Sequence, residues 1–259
     1  MKINVSKCHG TENHFLIFHS NEKKVHSKKT ILSIIDQNQS ERVDGVLILS
    51  DELNVDFKMD YYNNDGSWET MCANGARCAV LYMQNQIKQN KEMIFKAGDG
   101  IHQAVIINEN YVSLQMNTPK YCSKIISLLG IQGRHVDSGA THFVIEYPDI
   151  TDQDVRKLGA QIRYDKIFSP RGINVNFYTL IDHHNIHVKT YEKGIEDLMM
   201  SCGSGAVACA FHLSQIQKIE SPVNMKVPGG QLKVTFTNNW EEVWLSGSAT
   251  IEYSFSAEV

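Results

Sequence analysis

The sequence predicts an α/β (α+β) protein built from two similar domains. Three observations predict it: a long internal repeat, a majority of short strand-like segments, and one small-residue helix start in each half. In the repeat, Cys72-Ala73-Asn74-Gly75-Ala76 answers Cys202-Gly203-Ser204-Gly205-Ala206, 130 residues further along a chain of 259. Gly10 and His14-Phe15-Leu16-Ile17 answer Gly139 and His142-Phe143-Val144-Ile145, and Asp44-Gly45-Val46-Leu47 answers Asn174-Val175-Asn176-Phe177. Tyr62-Asn63 answers Tyr191-Glu192, Ala97-Gly98-Asp99-Gly100-Ile101 answers Pro228-Gly229-Gly230-Gln231-Leu232, and Val112-Ser113-Leu114 answers Val243-Trp244-Leu245. The offset stays between 128 and 131, and a period that long, present twice, indicates paired domains rather than a solenoid. The expected domains are residues 1–118 and 119–249, with 250–259 left over and available to return to the first.

Along the chain, Lys2 to Cys8 and Phe15 to Phe18 read as strands around the turn His9-Gly10-Thr11-Glu12-Asn13, and Thr30 to Asp36 as a weak helix. Val46 to Leu49 is a short apolar run. Val55, Phe57, Met59 and Tyr61 alternate on one face, the pattern of a half-buried strand. The turn Asn63-Asn64-Asp65-Gly66-Ser67 uses residues that tolerate positive φ. From Cys72 a helix of about 15 residues carries Ala76, Ala79, Val80 and Met83 at helical spacing. Strands near Phe95, Gln103 to Ile107 and Val112 to Met116 precede the linker Asn117-Thr118-Pro119. The second half repeats the order: strands at Arg134 to Asp137 and His142 to Tyr147, and a helix at Asp152 to Ile162. Strands at Val175 to Ile181 and His187 to Glu192, a helix from Cys202 to Lys218, and three more strands complete it.

Composition narrows the function. With 42% hydrophobic residues, 21% charged residues and a net charge of −4, the chain can bury ordinary cores and has no broad electrostatic reason to bind nucleic acid or an anionic membrane. The N-terminal residues lack a signal-peptide apolar run, and no stretch approaches the ~20 apolar residues of a membrane span. A cytoplasmic protein acting on small molecules is the expectation. In that compartment the six cysteines should be thiols. None forms a C-x-x-C pair, which argues against zinc and thioredoxin-like chemistry. Cys8, Cys78, Cys122 and Cys209 are expected to be packing residues.

Cys72 and Cys202 are different because each stands at a helix start, where unpaired N–H groups and the positive dipole end favour an anion. A cysteine there can have its pKa lowered from about 8.5 toward neutrality. Small residues after it let a carboxylate reach the bare amides. Two such helix starts facing one substrate would allow inversion by two bases: one thiolate removes the α-proton and the other thiol returns one to the opposite face.

Asn63-Asn64-Asp65-Gly66-Ser67 leading to Cys72-Ala73-Asn74-Gly75-Ala76-Arg77-Cys78, and Tyr191-Glu192-Lys193-Gly194 leading to Cys202-Gly203-Ser204-Gly205, resemble the two signatures of the diaminopimelate epimerase family. His9 to Asn13, Ser138-Gly139-Ala140-Thr141-His142, Asn174 to Phe177 and Pro228-Gly229-Gly230 resemble it in the same order, so essentially the whole chain is covered. The resemblance implies a cofactor-independent epimerase that interconverts L,L- and meso-diaminopimelate, a lysine and peptidoglycan precursor. It further implies two pseudo-symmetric domains, each a curved, mostly antiparallel sheet or barrel around a central helix, with the site in the interdomain cleft. It suggests a homodimer. Cys72 and Cys202 match the family's catalytic cysteines, with His142 and Glu192 beside them assisting proton traffic or orienting the substrate ammonium. Ala73, Asn74 and Gly75, with Gly203, Ser204 and Gly205, match the α-carboxylate site; Asn13, Asn63 and Asn174 match substrate-binding asparagines.

The departures concern the distal end of the substrate. Lys193 stands where the family usually has an arginine, and a lysine offers a point charge instead of two parallel bonds. Ala140 replaces an asparagine, Glu12 and His14 replace a glycine and an aspartate, and Ala73 replaces a glycine. Another amino acid, such as histidine, therefore stands as an alternative substrate. A non-catalytic binding module of the same fold is a second alternative. Asp182-His183-His184-Asn185-Ile186-His187 reads as a polar hairpin rather than a metal site, and no metal is expected. Gly203-Ser204-Gly205-Ala206-Val207-Ala208 fits a loose dinucleotide fingerprint but lacks its βαβ context. Lys23-Lys24 and Lys28-Lys29 read as a solvated surface loop.

Overall fold

The computed structural model describes residues 1–38, 42–87 and 91–259. They divide into two compact units, residues 1–114 with 247–259, and residues 115–246. In the first unit, β1 (Lys2–Gly10) and β2 (Asn13–His19) form a hairpin closed by Thr11 and Glu12, whose φ angles are 51° and 60°. Two consecutive left-handed residues give the turn twist that suits paired strands, and they bring Asn13 out as the first residue of β2. A 3-10 turn at Lys23–His26 precedes α1 (Lys28–Gln37), which Ser27 starts by accepting the Thr30 N–H at 3.1 Å. The lysine pairs expected in a loop therefore lie in helical turns. The local cap overrides what their charge suggested.

β3 (Gly45–Ser50) runs parallel to β2, and β4 (Phe57–Asn63) runs antiparallel to β3. After β5 (Trp68–Glu69) and α2 (Ala73–Ile87), β6 (Glu92–Ala97) pairs parallel with β4, and β7 (Gly100–Asn108) and β8 (Tyr111–Gln115) follow antiparallel. The second unit has the same order: β9 (Lys120–Leu128), β10 (Ile131–Asp137), β11 (Thr141–Glu146), α3 (Asp152–Arg163), β12 (Asn174–Asp182), β13 (Asn185–Glu192) and β14 (Asp197–Met199). It continues with α4 (Gly203–Gln215), β15 (Val223–Val227), β16 (Gly230–Phe236) and β17 (Val243–Ser248). The pairing also repeats: β11 is parallel to β12, β12 antiparallel to β13, and β13 parallel to β15. The tail, β18 (Thr250–Glu258), pairs antiparallel with β1, the relation that β9 has to β10.

Both faces of β2, β3, β4, β11 and the first half of β12 are covered, whereas β6, β7, β15 and β16 keep an exposed face. Leu16, Phe18, Val46, Ile48 and Tyr62 pack with Ile31 and Ile34 of α1, while α2 lies against β1, β2, β3, β4, β7 and β18. In the second unit Phe143, Ile145, Val175, Phe177 and Tyr191 pack with Val155 and Ile162 of α3, and α4 lies against β10, β11, β12, β13 and β16. β4 is consequently not half-buried as its alternation suggested. Asp60 and Tyr62 are buried along with Phe57, Met59 and Tyr61, because α1 occupies the side expected to meet solvent.

Cys8, Cys78 and Cys209 are buried. Cys122 is exposed, against expectation, because β9 turns most of its side chains toward solvent. No helix among the described residues is long and apolar enough to cross a membrane.

The α3 contact with β13 has no clearance at Gly159, where an added Cβ would lie 2.4 Å from the Cβ of Tyr191. Gly159→Ala should cost about 1–3 kcal/mol of stability through overpacking. A denaturant midpoint unchanged from the parent would contradict that contact.

Candidate active-site residues in each unit

In the first unit Cys72 immediately precedes α2, and its carbonyl accepts the Ala76 N–H at 2.8 Å, the first bond of the helix. The hairpin turn presses against this helix start. A Cβ on Gly10 would sit 2.5 Å from the Asn74 carbonyl oxygen, so only glycine permits the approach, and Gly75 similarly lies against Leu47. That approach brings Asn13 to Cys72, with the thiol sulfur 3.8 Å from Asn13 Oδ1. The amide is oriented by Asp44, whose Oδ2 accepts Asn13 Nδ2 at 2.7 Å and the His14 N–H at 2.8 Å. Asn13 Oδ1 also accepts from Asn74 Nδ2 at 3.2 Å, and Asn74 Oδ1 accepts from Arg77 at 2.8 Å.

Arg77 is fully buried, and its guanidinium also donates to Thr11 Oγ1 at 3.0 Å and to the carbonyls of Ser248 and Ala73. Burial pulls its pKa down from the usual arginine value, and the neighbouring Cys78 and Cys72 act in the opposite sense. Asn63, the last residue of β4, opens the turn that follows, accepting from Tyr61 Oη at 2.8 Å and donating to Ser67 Oγ at 3.1 Å. Sequence reasoning missed Asp44 and Arg77. Arg77 lies inside the first signature, and Asp44 is the repeat counterpart of Asn174, so position alone could have raised both.

In the second unit Cys202 is the N-cap of α4, with φ −130° and ψ 107°, and its carbonyl accepts the Ala206 N–H at 3.0 Å. Its pKa is not lowered as the helix start suggested. Burial pushes the thiol well above its ordinary value, and the charge and hydrogen bond of Glu192 add to the rise; the Gly205 amide and the Ser204 hydroxyl oppose it. Ser204 Oγ lies 3.7 Å from Cys202 Sγ and 2.9 Å from His142 Nε2. His142 is fully buried and reaches toward the thiol through Ser204. Its Nδ1 is 2.7 Å from Asn176 Oδ1, and Asn176 Nδ2 donates to Thr190 Oγ1 at 2.7 Å.

Strand register explains this set. β12 and β13 pair Asn176 with Thr190, and a Cβ on Gly205 would fall 2.1 Å from Asn176 Nδ2, so the first turn of α4 rests directly on that amide. Asn174, two residues back on the same face, donates to the Thr141 carbonyl at 3.2 Å and accepts the Lys193 backbone N–H at 2.8 Å. The Lys193 residue itself is exposed. Gly203 opens α4, while the Ser204 carbonyl accepts from Ser138 Oγ at 2.8 Å. Asn176 and Thr190 were also missed. The sequence signal was the alternation of polar and apolar residues in Asn174-Val175-Asn176-Phe177. The hairpin histidines are occupied locally, His183 Nδ1 at the Lys218 carbonyl and His184 Nδ1 at the Pro222 carbonyl.

The sequence model of the family described as diaminopimelate epimerase matches residues 5–122 and 134–252. The diaminopimelate epimerase of Flavobacterium psychrophilum is 32% identical over 262 residues, covering 98% of each chain, and that of Aquifex aeolicus is 31% identical, covering 93% of each. Among solved structures, a phenazine biosynthesis protein of the PhzF family from Bacillus anthracis superposes with a TM-score of 0.75 at 11% identity, with full coverage of both chains. A hydroxyproline epimerase from Agrobacterium vitis gives 0.73 at 12% identity, covering 99% of this chain and 92% of its own. At those identities the two structures bear on the fold alone.

Burial lowers the pKa of His142 to about 4, with the Asn176 hydrogen bond opposing the shift. The unfolded chain, with a histidine pKa of about 6.5, then binds the extra proton first. This contribution is complete above about pH 6.5 and is lost as pH falls toward 4, by up to about 3 kcal/mol. Denaturant titrations from pH 7 to 4.5 should show that loss. His142→Gln should flatten the slope whatever its stability at pH 7, and an unaltered slope would count against the assignment.

Proposed function

Because the chain belongs to the diaminopimelate epimerase family, we propose that it is an isomerase that interconverts L,L- and meso-diaminopimelate without a cofactor. The supporting observation is that Cys72 and Cys202 each stand at the start of a helix, each within a buried polar set belonging to its own unit. The proposed chemistry assigns one thiol to each face of the α-carbon. In one direction a thiolate takes the α-proton and becomes a thiol, while the other thiol gives its proton to the opposite face and becomes a thiolate. Net proton count is unchanged, and only the configuration inverts. Helix-start amides suit the α-carboxylate and the negative charge that grows on it as the proton leaves.

The settings of the two cysteines support unequal roles. Cys202 is buried and sits beside a carboxylate, both of which favour its protonated form. Cys72 has Arg77 in its neighbourhood, a cation that favours the ionised form, while Asn13 Oδ1, which accepts from the S–H, favours the thiol. Glu192 acts on Cys202, and His142 acts through Ser204 rather than by touching substrate. Asn13, Asn63, Asn174, Ala73, Asn74, Gly75, Gly203 and Ser204 are proposed for substrate binding, with Lys193 toward the distal end. A cytoplasmic homodimer completes the proposal.

Lys193 and Ala140 motivate the second reading, another amino acid on the same two-thiol chemistry. Deuterium uptake from heavy water over a panel of amino acids separates the two. Exchange at the α-carbon of diaminopimelate is expected, and exchange only with a different amino acid would replace the substrate while retaining the reaction. Cys72→Ala and Cys202→Ala should each reduce turnover at least about 10²–10⁴-fold, the scale of losing one proton-transfer group. If ligand binding persists and neither variant alters any activity, the chain is a binding module.

A further inference from the structure

The chain of side chains behind Cys202 has a direction. Asn176 Nδ2 donates to Thr190 Oγ1, so its oxygen is the atom presented to His142, 2.7 Å from Nδ1. An amide oxygen only accepts, so Nδ1 must carry the hydrogen. His142 is fully buried and keeps one ring proton at neutral pH, so its Nε2 is a bare lone pair. Ser204 Oγ, 2.9 Å away, must then donate its single hydrogen to Nε2. What Ser204 has left for Cys202, at 3.7 Å, is lone pairs. A thiol can donate to them. A thiolate would face them without a hydrogen between, or would draw the Ser204 hydrogen away and leave Nε2 unpaired in a buried site, a cost of about 1–3 kcal/mol.

We infer that Asn176 is a positioning residue, with Thr190 as its anchor: by fixing the tautomer of His142 it orients the Ser204 hydroxyl so that Cys202 is held as the proton-bearing thiol. Both residues lie on strands, paired across β12 and β13, and reach Cys202 through this series of bonds. The close rest of Gly205 on the Asn176 amide shows how little room the group has to adopt another position. The catalytic meaning of this positioning rests on the two-thiol reading above. The hydrogen-bond polarity does not.

Other groups act on the same proton. Glu192 faces Cys202 and also favours its thiol, while the Gly205 amide favours the thiolate, as the Ser204 hydroxyl does wherever it donates to the sulfur; here the Nε2 lone pair of His142 takes that hydrogen. Around His142, Asp137 favours the charged ring, while His135 and Lys193 disfavour it. None of these distinguishes one ring nitrogen from the other, and only the Asn176 amide does so by contact.

Two measurements test the inference without requiring turnover. In the unmodified protein carrying ¹⁵N-labelled histidine, the ring-nitrogen shifts of His142 at pH 7 should report the Nδ1–H tautomer. The Nε2–H tautomer would overturn the proposal. The second is Asn176→Asp, which puts a carboxylate beside Nδ1 and stabilises the doubly protonated ring. Nε2–H then donates to Ser204, whose hydroxyl turns to Cys202 and stabilises the thiolate. The Cys202 titration, followed as thiolate absorbance near 240 nm against a Cys202→Ala reference, should shift to lower pH. A carboxylate acting only through its charge would shift it to higher pH, and that result, or no shift, refutes the relay. Placing Ser204→Ala beside Asn176→Asp should diminish the downward shift, and an undiminished one shows that Ser204 does not transmit it. A chain that fails to exchange deuterium with any amino acid yet passes these tests would sink the enzymatic reading and leave this one standing.

Discussion

Everything distinctive about the two candidate half-sites depends on how closely a sheet approaches the first turn of its central helix. In the first unit the hairpin turn meets the α2 backbone at Gly10, where a methyl group would be 2.5 Å from a carbonyl oxygen. In the second the α4 backbone meets a β12 side chain at Gly205, where a methyl would be 2.1 Å from an amide nitrogen. Water is excluded at such separations. Each polar group placed there must therefore find a protein partner or cost about 1–3 kcal/mol. The buried sequences Asp44–Asn13–Asn74–Arg77 and Thr190–Asn176–His142–Ser204 meet that requirement. They are a consequence of tight backbone packing as much as of chemistry.

The same closeness decides the contest between helix dipole and burial. A helix N-terminus stabilises an adjacent negative charge by typically about 0.3–1 kcal/mol, whereas removing an ion from water costs several kcal/mol even after relaxation. At Cys202 burial is the larger influence and Glu192 reinforces it, so the thiol stays protonated although it caps a helix. At Cys72 the neighbouring buried group is a cation. Two positions that look equivalent in the sequence repeat thus have differently charged neighbours. The repeat duplicates backbone, and the side chains around it give each copy its own electrostatics.

How much of this was legible follows from the range of the interactions. The two helix starts, the hairpin at residues 9–13 and most strands were legible because small residues, turn formers and alternation are local signals. β9 was not, because Tyr121, Cys122, Ser123 and Lys124 show no alternation of apolar and polar types, although their positions alternate between half-buried and exposed. The covered outer face of β4 was missed for a different reason. Its polar member Asp60 has close partners in Lys58 and Trp68, and such partners cannot be counted from spacing. Asp44, Arg77, Asn176 and Thr190 act through bonds set by strand register and by the meeting of sheet and helix. Residue type named them as polar; only the fold named their partners.

The departures from the family pattern can be sorted by the same physics. Glu12 occupies a left-handed turn position and reaches two half-buried imidazoles, 3.6 Å from His9 Nδ1 and 3.4 Å from His14 Nε2. That cluster is separate from Asn13, which Asp44 holds through the strand beside it. Ala73 meets Arg77 through its carbonyl, a contact any residue would supply. Lys193 meets Asn174 through its backbone N–H, so exchanging arginine for lysine leaves that asparagine held as before. The groups around the two thiols are therefore fixed by backbone atoms and buried partners that these substitutions do not remove. What the substitutions change is side-chain ends, above all that of the exposed Lys193. Reaction and substrate preference can consequently vary independently in this chain, because different atoms of the same residues hold the site together and face outward from it.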